Sequence, residues 1–151
     1  MRLLNSILLT SFLLLSSMVN AETFTVEDAY VRATPPHTAN SAAFMQIHNN
    51  TDTSRKLIAA SSDISDRVEL HSHIMSDGMM KMRQVEAIEV NANESAILRP
   101  GSFHVMFLGL KSPLSEGESV KINLYFDNGD EIVVNAPIKK ITSKKTMKHD
   151  K

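Results

Sequence analysis

The sequence has 151 residues, with 16 basic and 17 acidic side chains, six histidines, nine methionines and no cysteine. That length favours one domain, and a net charge of −1 gives no sign of a general nucleic-acid binder. The lack of cysteine excludes disulfide scaffolds, thiol redox motifs, zinc–cysteine sites, cysteine nucleophiles and blue-copper centres, which need a thiolate.

Residues 1–21, MRLLNSILLTSFLLLSSMVNA, read as a secretory signal peptide. Arg2 supplies the positive start, Ile7 to Leu15 the apolar stretch, and Val19-Asn20-Ala21 the small residues before a cut after Ala21. A spanning helix needs about 20 mostly apolar residues, and this run is shorter and broken by Asn5, Ser6, Thr10 and Ser11. No stable membrane insertion is expected, and with no cysteine there is no lipobox to acylate. The mature chain is expected outside the cytoplasm, in an oxidising compartment where thioethers are safer metal ligands than free thiols.

Period-2 patterns then recur along the chain. Strands are predicted at 24–33, 41–48, 57–60, 67–74, 79–85, 87–90, 95–98, 103–110, 121–126 and 131–135. Pro35-Pro36, Asn49-Asn50-Thr51-Asp52, Asp77-Gly78, Pro100-Gly101 and Asp127-Asn128-Gly129-Asp130 punctuate them. No stretch carries a sustained helical stripe. The expected fold is all-β, one antiparallel sandwich or small barrel over residues 22–138. Residues 139–151 carry a net charge of +5, against −7 for residues 22–138, and are expected to be a mobile basic tail.

Soft donors gather at three places: His71-Ser72-His73, Met79-Met80-Lys81-Met82 and His104-Val105-Met106. Alternation along a strand puts His104 and Met106 on one face and Phe103, Val105 and Phe107 on the core face. Likewise Glu69, His71 and His73 oppose Val68, Leu70 and Ile74. A two-residue turn at 77–78 sets His73 opposite Met82; a four-residue loop at 75–78 sets His71 there instead. Both registers place imidazole and thioether on a shared face, about 5–8 Å apart.

Two imidazoles and two thioethers form a neutral, soft donor set. It selects Cu(I) over harder cations, whereas zinc sites favour thiolate, imidazole and carboxylate. Most strand methionines simply fill core gaps, and most single histidines are surface groups. Met45 fits the first description, and His37 and His48 the second.

The spacing His71, ten residues, Met82, twenty-one residues, His104, one residue, Met106 resembles the H-x10-M-x21-H-x-M motif of PCu(A)C-type periplasmic copper chaperones. The flanks ASSDISDRVELHSHIMSDGMMKMRQVEAIEV and LRPGSFHVMFLGLKSPLSEGESV are also similar, over roughly residues 24–137. The resemblance implies a cupredoxin-like β-sandwich of Greek-key type holding one Cu(I) on His71, Met82, His104 and Met106. It implies a periplasmic location and transfer of that copper toward cytochrome c oxidase assembly, to the binuclear copper centre directly or through a Sco-type protein.

Around that set, His73 reads as an outer or standby donor, and Glu69 either as a carboxylate able to orient a ligand imidazole or as a solvated charge on the strand face. Met75, Met79 and Met80 read as rim residues able to pass copper on. Met147 and His149 could form a weak second copper site; otherwise the tail is a solvated basic segment for docking to an acidic partner or a membrane surface. A non-enzymatic, monomeric carrier is expected. The alternatives are copper storage or detoxification with the same residues and, more remotely, a zinc-dependent hydrolase on His71, His73 and His104.

Overall fold

The computed structural model describes residues 22–141. Ten strands follow in chain order: β1 (Phe24–Arg32), β2 (Asn40–Asn49), β3 (Arg55–Ser61), β4 (Ser65–Ser76), β5 (Met79–Gln84), β6 (Ile88–Val90), β7 (Ser95–Leu98), β8 (His104–Leu110), β9 (Ser119–Phe126) and β10 (Glu131–Lys139). Residues 1–21, read above as a signal peptide, and residues 142–151 of the basic tail lie outside the described residues.

One layer has the order β5-β4-β8-β2-β1, with β7 also on β2; the other runs β10-β9-β3-β6. A short parallel pairing of Val31 with Ile138 and Arg32 with Lys139 joins them. The remaining pairings are antiparallel, so the expected all-β sandwich is present, with one parallel seam.

The core follows from alternation. β2 turns Ala43, Met45 and Ile47 inward, and β8 turns Val105 and Phe107 inward. They meet Leu57 of β3, Ile122, Leu124 and Phe126 of β9, and Ile88 and Val90 of β6. Phe24 stacks on Phe126 with ring centroids 3.7 Å apart. Full burial of each such side chain contributes about 1.5–3 kcal/mol, which sets which face of every strand turns inward. Asn49 is also buried, but satisfied: its side chain donates to Thr53 O and Val90 O and accepts from Thr51. The Asn49–Asp52 turn is thus pinned to β6.

Several strands are longer than the sequence suggests, and two of them, β10 and β4, by four residues each. β10 continues past Asn135 to Lys139, because Val134, Ala136 and Ile138 keep the inward alternation. Pro137 does not stop it. Ile138 donates its N–H to Glu118 O, so the N–H missing at Pro137 falls on the edge away from β9. The body therefore includes Lys139, which sits 5.5 Å over the Tyr30 ring, and Lys140, paired with Glu116 at 3.3 Å. The boundary expected at residue 138 moves outward accordingly.

β4 is the second. It pairs with β8 from Ser65 opposite Leu110 to His71 opposite His104, where β8 begins. Beyond that point β4 pairs with β5 alone, from Ser72 opposite Arg83 to Ser76 opposite Met79. The end of the β4–β5 hairpin thus projects past the sandwich. Asp77 and Gly78 both have positive φ, 54° and 73°, the requirement of a two-residue type I′ turn.

Candidate metal centre

That turn settles the register left open by the sequence. Met82 stands opposite His73, and His71 stands opposite Gln84 on β5 and His104 on β8. On the neighbouring strands Met106 lies between Glu69 of β4 and Ala42 of β2. Residues two apart share a face, so Glu69, His71, His73, Met82, His104 and Met106 occupy the outer face of the larger sheet.

Loops close over this face. Arg99-Pro100-Gly101-Ser102 forms a turn with Ser102 N–H donating to Arg99 O and Gly101 at φ 81°. Proline then glycine at a positive φ is the signature of a type II turn. It leads into β8 just where β2 exchanges β7 for β8 as partner, between Met45 and Ala43. The opposite wall is the β1–β2 connection, held by Ser41 Oγ donating to Arg32 O and Thr34 N donating to Leu114 O. Between them lies a cleft of about 520 Å³ lined by Phe44, His73, Met82, His104 and Met106, with Arg32 and Pro100 at its margins. No carboxylate lines it.

The two histidines opposite one another are fixed in complementary ways. His104 is only 2% exposed, and its Nδ1–H donates to Ser102 O at 3.0 Å. His71 donates Nε2–H to Glu69 Oε2 at 2.8 Å, and Glu69 also meets Arg67 at 3.4 Å. Each neutral ring keeps a lone pair on its other nitrogen, His104 Nε2 and His71 Nδ1. Both nitrogens are buried and have no hydrogen-bond partner. A buried polar atom without a partner is costly, and a pair of them beside thioethers is the arrangement a soft metal would satisfy. Burial pushes the His104 imidazole below its ordinary pKa; the Ser102 carbonyl opposes this, and nearby His73 and His71 add to the lowering. The site thus favours the neutral, ligating form.

His73 is drawn further into the site than the sequence suggested. It lines the cleft beside Met82, its ring centroid lies 5.3 Å from that of His104, and its Nδ1 has only a long 3.5 Å contact with Ser102 O. His71 lies 5.8 Å from His104 and does not line the cleft. Among the described residues, no group of three or more His, Asp or Glu could hold a metal ion. A larger groove, about 790 Å³, opens between β1 and β10, but its lining holds no histidine or methionine. Size alone does not locate the metal chemistry.

A family model described as "Putative lipoprotein LpqE-like" matches residues 24–138. The solution structure of Cu(I)-bound DR1885 from Deinococcus radiodurans is 33% identical, covers 82% of this chain and 83% of that one, and superposes with a TM-score of 0.66. The chain belongs to the LpqE-like, PCuAC family. The copper-bound PCuAC domain of PmoF2 shares the fold at 18% identity, with a TM-score of 0.67 over 80% of this chain and 95% of that one. "Putative lipoprotein Lxx21020" of Leifsonia xyli subsp. xyli is 28% identical over 115 residues, 76% of this chain and 68% of its own. The cupredoxin-like sandwich expected from the sequence is therefore the PCuAC fold.

Other residues of this PCuAC chain sort clearly. Met45 is core at 2% exposure, and His48 is satisfied by Ser95 Oγ at 2.9 Å. Met75, Met79 and Met80 are exposed on the hairpin end. Met147 and His149 lie outside the described residues. Phe44 and Ser102 went unnoticed in the sequence. Phe44 covers one side of His104, at 6.2 Å between ring centroids, and packs on Tyr30 at 5.2 Å. Its signal was available: it is the one large aromatic on the β2 face opposite Ala43, Met45 and Ile47.

Proposed function

We propose that this PCuAC protein is a Cu(I) carrier of the cell envelope, binding one ion with His71, Met82, His104 and Met106 and releasing it by ligand exchange. One observation carries the reading. Two buried imidazole nitrogens lack partners: His104 Nε2, in a cleft that also presents Met82 and Met106 and no carboxylate, and His71 Nδ1, on the strand position directly opposite His104. Neutral nitrogen and sulfur donors leave a monovalent soft ion adequately solvated, while a dication there has no anionic ligand to offset its charge. Arg32 at the margin adds to that bias. Glu69 is engaged by His71 and Arg67, so it is not free to act as the base of a zinc hydrolase.

The structure of a relative holding Cu(I) supports the choice of metal. The signal-like leader and the family's lipoprotein description support an envelope location, for which we take the periplasm. The acceptor we propose is a copper-receiving protein of cytochrome c oxidase assembly, either the oxidase copper subunit or a Sco-type chaperone.

The test is a Cu(I) competition titration under reducing conditions, joined to X-ray absorption on the loaded protein. One equivalent is expected, with nitrogen and sulfur neighbours. Met82→Leu and Met106→Leu should each weaken Cu(I) binding by more than about tenfold, or ~1.4 kcal/mol, and leave any Zn(II) binding unchanged. Unchanged Cu(I) affinity in both variants, or oxygen neighbours, overturns the site. Loss of oxidase activity in a deletion strain at low copper supports delivery; copper sensitivity alone indicates storage.

A further inference from the structure

We propose that the end of the β4–β5 hairpin holds a second, weaker Cu(I) site built from the thioethers of Met75 and Met80, through which copper enters and leaves the cleft. The proposal rests on the Cu(I) reading of the cleft and extends it outward. Met75 stands directly opposite Met80, and His73 directly opposite Met82. Strand alternation puts all four on one face, in two successive rows. Side chains directly opposite have Cβ atoms about 5 Å apart, and successive rows on one face lie about 7 Å apart. An ion clasped by Met75 and Met80 is therefore one row from His73 and Met82, which already line the cleft.

Packing does not account for these methionines. β8 begins at His104, so β5 is the one strand paired with β4 beyond that row, and Ile74, Met75, Met79, Met80 and Met82 of the hairpin are exposed. Met75 is 67% exposed, Met80 53% and Met82 44%. A methionine in a core fills a gap, but these fill none. The two faces of the hairpin also differ. Lys81 pairs opposite Ile74 and Arg83 opposite Ser72, which places both cations on the reverse face. Asp77 in the turn is engaged by Lys81 at 3.4 Å. The row leading from the cleft to the tip is thus imidazole and thioether alone.

Chemistry gives the rows an order. The inner donors include buried imidazoles held by Glu69 and Ser102, so they are preorganised. Met75 and Met80 are solvated and held only by one two-stranded ribbon, so they bind more weakly and exchange faster. Passing the ion between rows needs only substitution of one neutral ligand by another; no electron or proton moves. Met79 provides an internal control. It is 59% exposed and has the same thioether, but it pairs opposite Ser76 on the reverse face.

The experiment titrates Cu(I) into the mature protein under anaerobic reducing conditions and follows the methionine ε-methyl signals by NMR. The first equivalent should move Met82 and Met106. A second, bound at least about tenfold more weakly, should move Met75 and Met80 and leave Met79 in place. In M75L/M80L the second equivalent should vanish, the first should keep its affinity within about twofold, and transfer to a competing chelator should slow several-fold. M79L should behave as the wild type. A second equivalent that survives M75L/M80L, or that moves Met147 or Met79 instead, overturns the proposal, as does the absence of any second equivalent. Failure of the first equivalent to move Met82 and Met106 is a different result, and it overturns the carrier site itself.

Discussion

Glu69 Oε2 accepts the Nε2–H of His71 at 2.8 Å, and that bond leaves His71 Nδ1 as the buried nitrogen without a partner. The carboxylate therefore fixes both which nitrogen is free and the plane in which it points. Removing such an outer partner commonly costs 10- to 100-fold in metal affinity. Glu69→Ala should lower Cu(I) affinity by about that factor, and Glu69→Gln by much less, because the amide oxygen still accepts from Nε2–H. Competition titration of both variants checks this. Equal, wild-type affinity in both would show Glu69 to be only a solvated charge bonded to a ring that does not ligate.

A second prediction concerns acid. Burial holds the His104 pKa below its ordinary 6.5. The unfolded chain, with the ordinary value, then binds more protons than the folded one just below that pH. Stability of the copper-free protein should fall as pH drops through the ordinary value and level off once pH is below the folded one. His104→Asn should flatten this part of the profile. Urea midpoints at a series of pH values between 5 and 8 read it directly, and an unchanged slope in the variant would exclude His104 as its source.

The third prediction is steric. Phe44 is 6% exposed and sits against both His104 and Tyr30. Phe44→Ala should destabilise the fold by about 3 kcal/mol, the low end for losing a buried ring. It also admits water to His104, so the imidazole pKa should rise toward its ordinary value. Chemical denaturation and an NMR titration of the ring measure the two effects separately. Phe44→Leu keeps most of the apolar volume and should show little of either.

These residues also mark how far the sequence was legible. The strands were readable because each has one buried face, so Ala43, Met45 and Ile47, or Val105 and Phe107, declare their period directly. The hairpin register was readable only to two choices, since loop length at Asp77-Gly78 depends on φ at both residues. That choice moved His73, rather than His71, beside Met82. The length of β10 was hidden by Pro137, whose harmlessness depends on which edge its missing N–H faces. The roles of Phe44 and Ser102 depend on where β2 changes partners and on the turn at Pro100-Gly101. Those are tertiary facts, with no local signature stronger than an aromatic on the wrong face of a strand.

The last prediction tests the pairing that sets His71 opposite His104. Gly109 lies in β8 between Leu108 and Leu110, whose partners on β4 are Arg67 and Ser65, so it faces Asp66. Its φ is +69°, and an added Cβ would come within 2.6 Å of Asp66 Oδ2 and 3.2 Å of Asp66 Cβ. The first contact can be relieved by turning a side chain; the second cannot be relieved as easily. Left-handed backbone at a residue with a side chain costs a further 1–2 kcal/mol or so. Gly109→Ala should therefore destabilise the protein by about 1–3 kcal/mol in urea denaturation. Adding Asp66→Gly should recover the contact part and leave the backbone part. Cu(I) affinity of the folded variant should stay near wild type if the β4–β8 register holds, because Gly109 is five residues from His104 along β8 and alternates onto the face opposite His104 and Met106. A variant that keeps its stability but loses copper would instead show that the register slips, carrying His71 out of line with His104.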